Sequence, residues 1–199
     1  MSLPVVAIVG RPNVGKSSLF NRFLNKRLAV VDEQPGVTRD RNYAVCDWNG
    51  VKFALIDTGG IVPGSDDVME KAITDQTDFA IHESDLVLFL VDTQVGIDTV
   101  DLTIARSLNK ANKSCILVAN KADNDALELE TYEFYKLGLG DPTPVSATAG
   151  LGVGDLLDNL VGMLPKLVPQ DTAGSDVIRV ALAGRPNVGK SSFINRLIG

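Results

Sequence analysis

Cysteine, histidine and long apolar runs are scarce in this sequence, and each shortage argues against a class of protein. The chain contains two cysteines and one histidine among its 199 residues. Cys46 and Cys115 match no metal-binding or redox spacing, so we interpret them as reduced core thiols of a cytoplasmic protein. No apolar run approaches the roughly 18 residues of a membrane span, and the N-terminus shows no signal-peptide pattern. The sequence thus predicts neither a secreted nor a membrane protein.

A large basic surface is also absent. The formal net charge is −6, from 19 lysines and arginines against 25 aspartates and glutamates. This balance argues against direct nucleic-acid binding by this chain, since such binding requires a positive surface. Hydrophobic residues make up 45% and charged residues 22%, as in ordinary globular proteins. The length allows one domain, or one domain and a fraction of another.

The chain does contain one motif twice. The segment GRPNVGKSS runs from Gly10 to Ser18 and recurs identically from Gly184 to Ser192. Asn21-Arg22 likewise recurs as Asn195-Arg196 at the same offset. Each copy contains GxxxxGKS, the pattern of a phosphate-binding loop, and follows an apolar run. Only the first copy is followed by further motifs.

The repeat predicts two units of unequal length. We expect a first nucleotide-binding domain over 1–164, a linker rich in polar residues, Pro and Gly over 165–177, and the start of a second domain over 178–199. The second unit is too short to bury its own apolar face, so we expect no tight nucleotide binding there. Its phosphate-loop residues are Gly184, Gly189, Lys190 and Ser191. It could pack on the first domain, on a second molecule in self-association, or on a crystal neighbour.

Apolar runs alternate with helix-like segments through the first unit. The predicted strands cover 5–9, 43–48, 51–56, 86–91, 115–119 and 144–145. The predicted helices cover 16–24, a stretch ending near 82, 102–108, 127–137 and 151–164. Asn49-Gly50 is a strong hairpin signal between the second and third strands. The pattern predicts an α/β fold with a mostly parallel six-stranded sheet, helices on both faces and one antiparallel edge hairpin.

The first phosphate loop, residues 10–17, carries the residues expected to hold a polyphosphate. Gly10 and Gly15 allow successive backbone N–H groups to point at phosphate oxygens. Lys16 would bridge the β- and γ-phosphates, and the hydroxyl of Ser17 would bind Mg²⁺. The other expected nucleotide contacts of this segment are Asn13, Val14 and Ser18.

A second group of motifs is expected to read the base. In Asn120-Lys121-Ala122-Asp123, the carboxylate of Asp123 can accept hydrogen bonds from the N1–H and the amine of guanine. Adenine offers neither donor there, and such a mismatch can discriminate by roughly four orders of magnitude. Asn120 would join the base to the phosphate loop, with the Lys121 stem over the ring. Ser146-Ala147-Thr148 would place the Ala147 N–H on guanine O6.

Two further segments are expected to respond to the γ-phosphate. Asp57 begins Asp57-Thr58-Gly59-Gly60 and supplies an acid near Mg²⁺, while Gly60 can bring an N–H to the γ-phosphate. Thr38 is the candidate for the hydroxyl that completes Mg²⁺ coordination when triphosphate is bound. The alternative is that Thr38 is an ordinary loop threonine.

In order along the chain, the motifs GRPNVGKS, PGVTRD, DTGG, NKAD and SAT resemble those of the translation-factor-related P-loop GTPases. The doubled phosphate loop is similar to the bacterial tandem-G-domain GTPases of the Der (EngA) family, over essentially the whole chain. The resemblance implies a G domain that binds GTP or GDP with Mg²⁺. It also implies K⁺ beside the phosphates at Asn13, and a role in assembly of the large ribosomal subunit through regions absent from this chain.

The residue after DTGG leaves the hydrolysis step open. Many GTPases have a glutamine there that orients the attacking water, but this chain has Ile61. Either another group positions the water or intrinsic hydrolysis is slow, and the K⁺ at Asn13 is one substitute. The alternative for Asn13 is a residue that only suits the turn. Two functions stay open on this basis: a GTP-hydrolysing switch, and a binding module that only senses GTP or GDP. A third, an ATP-using P-loop enzyme, is disfavoured by Asp123.

Overall fold

A seven-stranded sheet forms the centre of the computed structural model, which describes residues 3–24, 29–30, 42–58 and 66–167. The strands are β1 (Val5–Val9), β2 (Ala29–Val30), β3 (Asn42–Trp48), β4 (Val51–Asp57), β5 (Leu86–Asp92), β6 (Cys115–Asn120) and β7 (Thr143–Val145). The helices are α1 (Lys16–Phe23), α2 (Asp66–Glu83), α3 (Thr99–Lys110), α4 (Asp125–Glu130), a 3₁₀ helix (Thr131–Leu137) and α5 (Val153–Leu167).

The sheet has the order β2-β3-β4-β1-β5-β6-β7. The pairs among β4, β1, β5, β6 and β7 are parallel, whereas β2-β3 and β3-β4 are antiparallel. The predicted α/β fold, with its mostly parallel sheet and antiparallel edge hairpin, is confirmed. The structure adds β2 beyond the hairpin as a seventh strand. Two residues are too few to show a strand period in the sequence.

Two apolar cores lie on opposite faces of this sheet. Because side chains alternate along a strand, Val6 and Ile8 of β1 join one core and Ala7 and Val9 join the other. Helices α1 and α5 cover the first face, and α2, α3 and the 3₁₀ helix cover the second. Every residue of β5 is buried, which explains its continuous apolar run.

The segment expected to form one helix over 127–137 is divided in the structure. Helix α4 begins after Asn124, whose side chain accepts a hydrogen bond from the backbone N–H of Leu127. The chain then continues as the 3₁₀ helix, in which Thr131, Phe134 and Leu137 are buried. These three residues follow one another at every third position, which places them on one face of a helix with three residues per turn.

Most of the expected linker and the whole expected second unit, residues 168–199, lie outside the described residues. Residue contacts separate Met1–Pro169 from Gln170–Gly199, and α5 ends at Leu167. The second phosphate loop, with Gly184, Gly189, Lys190 and Ser191, lies outside the described residues, so its role stays a prediction. Among the helices described, none is long and apolar enough to cross a membrane.

Candidate nucleotide-binding site

The predicted site residues that the structure describes meet at the carboxyl-terminal edge of the sheet. A pocket of about 380 Å³ opens there. It is lined by Asn13, Gly15, Ser18, Asn120, Lys121, Asp123 and residues 146–149. Residues 146–149 are called the base loop below. The pocket thus joins the phosphate loop to the segments predicted to read the base. Thr38 and Gly60 lie outside the described residues.

Two glycines of the phosphate loop adopt backbone conformations that other residues rarely take. Gly10 has a φ of +150°, and a Cβ built on it would lie 2.4 Å from the Leu90 carbonyl oxygen. Gly15 has a φ of +97°, and its Cβ would lie 2.3 Å from Nδ2 of Asn120. The loop can therefore follow this path, close to β5 and β6, only with glycine at both positions.

The lysine that ends the loop is held against its backbone. Lys16 is only 8% exposed, and its Nζ donates to the carbonyl oxygens of Gly10 at 2.7 Å and Arg11 at 2.9 Å. Burial lowers the pKa of Lys16, while the nearby charge of Asp57 acts to raise it. An ammonium group has three N–H donors, so one remains to contact a phosphate oxygen.

The hydroxyl of Ser17 and the carboxylate of Asp57 lie together beside Lys16. Ser17 Oγ donates to Asp57 Oδ2 at 3.1 Å. Both are hard oxygen donors, the class that Mg²⁺ prefers. Within the described ranges, no group of three or more His, Cys, Asp or Glu could hold a metal alone. The residues present fit a Mg²⁺ whose remaining ligands come from nucleotide oxygens and water.

Asn120 links the two ends of the pocket. Its side chain is buried, and its Nδ2 donates to the carbonyl oxygen of Val14 at 2.7 Å. Its Oδ1 accepts from the backbone N–H of Ala147 at 2.9 Å. The phosphate loop and the base loop are therefore joined through one amide. The Ala147 N–H, expected on guanine O6, is bonded here to Asn120, and its contact with a base stays a prediction.

The base loop is also stabilised from within. Ser146 is fully buried, and its Oγ accepts from the backbone N–H of Ala149 at 3.0 Å. Thr148 is exposed on the same loop. The backbone N–H of Ser146 donates to the carbonyl oxygen of Leu151 at 3.0 Å. These contacts fix a tight turn directly after β7.

Lys121 and Asp123 have partners on the neighbouring β5 end that are not among the predicted site residues. Lys121 has a φ of +67°, and its Nζ forms an ion pair with Asp92 Oδ2 at 2.6 Å. Gln94 Nε2 donates to Asp123 Oδ2 at 3.4 Å. The position of Asp92 in the sequence could have identified it as a site residue. It directly follows the apolar run 86–91, just as Asp57 follows the run 51–56.

Comparison with known proteins agrees with this architecture. GTPase Der of Clostridium novyi (strain NT) is 51% identical over 199 residues, which are 100% of this chain and 45% of that protein. A variant of Era from Aquifex aeolicus, solved bound to GDP and AlF₄⁻, has a TM-score of 0.62 and 28% identity. That match covers 92% of this chain and 63% of the Era chain.

A second Era structure was solved with MgGDPNP and nucleotides 1506–1542 of 16S ribosomal RNA. It has a TM-score of 0.60 and 29% identity, and the match covers 90% of this chain and 60% of that one. The chain spans less than half the length of the curated relative above. The resemblance to the Der family that the motifs predict is confirmed by the 51% identity to GTPase Der over the whole chain.

The family model described as "50S ribosome-binding GTPase" matches residues 5–121 and 179–199. The first range includes the phosphate loop, Asp57 and Asn120, and the second range contains the repeated phosphate loop. The two ranges together cover more than half of the chain. The chain therefore belongs to the 50S ribosome-binding GTPase family.

Proposed function

We propose that this chain binds GTP with Mg²⁺ and hydrolyses it to GDP and phosphate as a molecular switch. The proposal rests on the two hydrogen bonds of the Asn120 side chain, one to the Val14 carbonyl of the phosphate loop and one from the Ala147 N–H of the base loop. One nucleotide can thus reach both a phosphate site and a base site in a single pocket. Family membership supports the same activity.

Base selection is assigned to Asp123. Its carboxylate is exposed on the pocket wall and is bonded only loosely to Gln94 at 3.4 Å among the contacts described. It can therefore accept the N1–H and the amine of guanine. Adenine would leave this acceptor facing another acceptor, which is costly in a site built for hydrogen bonding.

Phosphate binding is assigned to Lys16, Ser17 and the glycines of the loop. The ammonium of Lys16 would contact the β- and γ-phosphates, and Ser17 with Asp57 would hold Mg²⁺. The metal, when bound, neutralises charge on the phosphate oxygens. Thr38 and Gly60 are proposed to bind only while the γ-phosphate is present, which makes their segments the switch.

The ribosomal role is proposed from the family and its relatives. The matched family is described as 50S ribosome-binding, which favours the large subunit. The Era structure with 16S ribosomal RNA supports an association with ribosomal RNA in general. We propose that the longer protein acts in the cytoplasm in assembly of the large ribosomal subunit. The contact is assigned to regions outside this chain, because the net charge of −6 disfavours RNA binding here.

Calorimetric titration of the chain with GTP, GDP and ATP tests the nucleotide. We expect tight binding of both guanine nucleotides and weak binding of ATP. The variant Asp123→Asn should lose GTP affinity by about a hundredfold or more and gain affinity for xanthosine triphosphate, whose base presents the complementary pattern. Asp125→Asn, the same change two positions along and outside the pocket, is the matched control. An unchanged base preference in Asp123→Asn would refute the assignment.

The means of hydrolysis is tested by cation replacement. Asn13 is exposed at the pocket rim with a φ of +65°, and we propose that it helps bind K⁺ beside the phosphates. Single-turnover GTP hydrolysis should be faster in K⁺ than in Na⁺ at matched ionic strength, because the cation neutralises charge developing between the β- and γ-phosphates. Equal rates rule out K⁺ use. Rates no faster than free GTP in buffer would favour the binding module over the enzyme.

A further inference from the structure

Arg22 lies on α1, the helix that continues from the phosphate loop, and its side chain reaches the base loop. Its Nε donates to the carbonyl oxygen of Ala147 at 2.8 Å. Its Nη2 donates to the carbonyl oxygen of Thr148, the next residue. Gly150 lies against the same group, since a Cβ built there would be 3.4 Å from Nη1 of Arg22. The guanidinium therefore lies on the backbone of this turn.

By binding two neighbouring carbonyl oxygens, Arg22 also fixes the orientation of the peptide N–H groups attached to them. A peptide unit is planar, so holding the Ala147 carbonyl also sets the direction of the Thr148 N–H. The Thr148 carbonyl and the Ala149 N–H belong to the next unit, which Arg22 and Ser146 Oγ hold from both ends. The preceding unit is held by Asn120 through the Ala147 N–H. Three consecutive peptide units of the base loop are thus fixed, two of them by Arg22.

The internal repeat offers an independent observation. After the shared GKSS, the first copy reads LFNRFL and the second reads FINRLI. The apolar positions differ between the copies, while Asn21-Arg22 and Asn195-Arg196 are the same. An arginine needed only to favour the end of a helix could be replaced by lysine at little cost. A planar fork that bonds two carbonyls at once could not.

We infer that Arg22 is a positioning residue for guanine recognition: it fixes the base loop from α1 and, by holding the Ala147 carbonyl, directs the Thr148 N–H towards the atom at position 6 of the purine. The inference rests on the proposed function, because it requires a guanine nucleotide in this pocket. It also gives α1 a second task, since the same helix starts at the phosphates and holds the loop that contacts the base. Loss of Arg22 should loosen the base without removing the phosphate contacts.

The test compares GDP with two analogues on the full 199-residue chain. The nucleotide 6-thio-GDP changes only the atom at position 6, whereas inosine diphosphate lacks only the amine that Asp123 is proposed to bind. We expect the wild-type chain to prefer GDP over both. In Arg22→Gln, GDP release should be roughly tenfold faster and the preference over 6-thio-GDP should shrink, while the preference over inosine diphosphate is retained.

Arg22→Lys keeps the charge but not the fork, and it should show the same loss of preference with less risk to folding. Arg106→Gln removes an exposed arginine from α3 and is the matched control, with wild-type affinities expected. A merely structural role would weaken GDP and both analogues in proportion, and unchanged ratios in both Arg22 variants would overturn the inference. A wild-type chain that does not prefer GDP to ADP would instead overturn the proposed function, and this inference with it.

Discussion

At the scale of single residues, buried amide and guanidinium groups carry the geometry of the site. Asn120 is 2% exposed and satisfies one carbonyl and one N–H that are far from it in sequence. Buried polar groups that lose their partners cost more than the net value of the bonds themselves. The same residue therefore affects both the stability of the domain and its affinity for nucleotide.

We predict that Asn120→Ala destabilises the nucleotide-free chain by about 2 kcal/mol or more, because the Val14 carbonyl and the Ala147 N–H lose their partner. Urea unfolding without nucleotide measures this. The matched control is Asn159→Ala, an exposed position within α5, which should leave stability unchanged or slightly raise it. Equal stability of the two variants would show that the Asn120 bonds contribute little.

At the scale of elements, the start of α3 is joined to the phosphate loop. Asp98 caps this helix, its side chain accepting from the N–H of Val100, and Asp101 accepts from the N–H of Asp98. Asp101 is fully buried and pairs with Arg11 of the phosphate loop, Nε to Oδ2, at 3.2 Å. Burial raises the pKa of Asp101, and the Arg11 charge acts against that rise. The cap of α3 thus helps to place a phosphate-loop side chain.

We expect Asp98→Ala to destabilise the chain by about 1 kcal/mol, since the first turn of α3 loses its side-chain acceptor. Asp98→Ser retains an oxygen acceptor at the same position and should recover most of this stability. Thermal or urea unfolding of the three proteins, at one pH, makes the comparison. If the serine variant were as unstable as the alanine variant, the lost stability could not be assigned to capping.

At the scale of the whole molecule, the sheet separates two apolar cores whose side chains are shielded from water. Cys46 of β3 is fully buried in the core covered by α1 and α5. Burial raises the pKa of its thiol from 9.0 to about 12. The thiol of Cys115, on β6, is raised for the same reason to about 11. The interpretation as a core thiol is confirmed for Cys46, whereas Cys115 is only partly buried against the core on the other face of the sheet.

This burial predicts how stability depends on alkaline pH. Cys46 ionises above about pH 9 in the unfolded chain, whereas in the folded chain its thiol stays protonated up to about pH 12. The contribution of the buried thiol to the free energy of unfolding is therefore complete below pH 9 and is lost as the pH rises towards 12. Between pH 8 and 10.5, ionisation of Cys46 in the unfolded chain should lower the free energy of unfolding by about 2 kcal/mol.

Lysines and tyrosines also titrate in this range, so the measured quantity is a difference. The pH-dependent fall in unfolding free energy of the wild-type chain is compared with that of Cys46→Ala. The unfolding free energy of Cys46→Ala should fall by about 2 kcal/mol less than that of the wild type over this pH range. At pH 8 the variant is itself less stable, because removing the thiol leaves a cavity. Parallel pH profiles would contradict the burial of this thiol.

Much of the fold follows from local pattern. The apolar run of β5, the Asn49-Gly50 turn and the glycines of the phosphate loop are each specified within a few residues, because they depend on backbone preference and side-chain alternation. The two-residue strand β2 and the 3₁₀ helix after α4 are not, since pairing with β3 and burial against α3 decide them.

The sequence by itself determined which chemistry gathers at the site. Motifs that directly follow strands must meet at one edge of a parallel sheet, whatever the details of packing. Only the tertiary structure decided the contacts that connect them: Asn120 with Val14, Lys121 with Asp92, and Arg22 with Ala147. These partners are distant in the chain. Their contacts depend on the order of the strands in the sheet and on the packing of α1 against it.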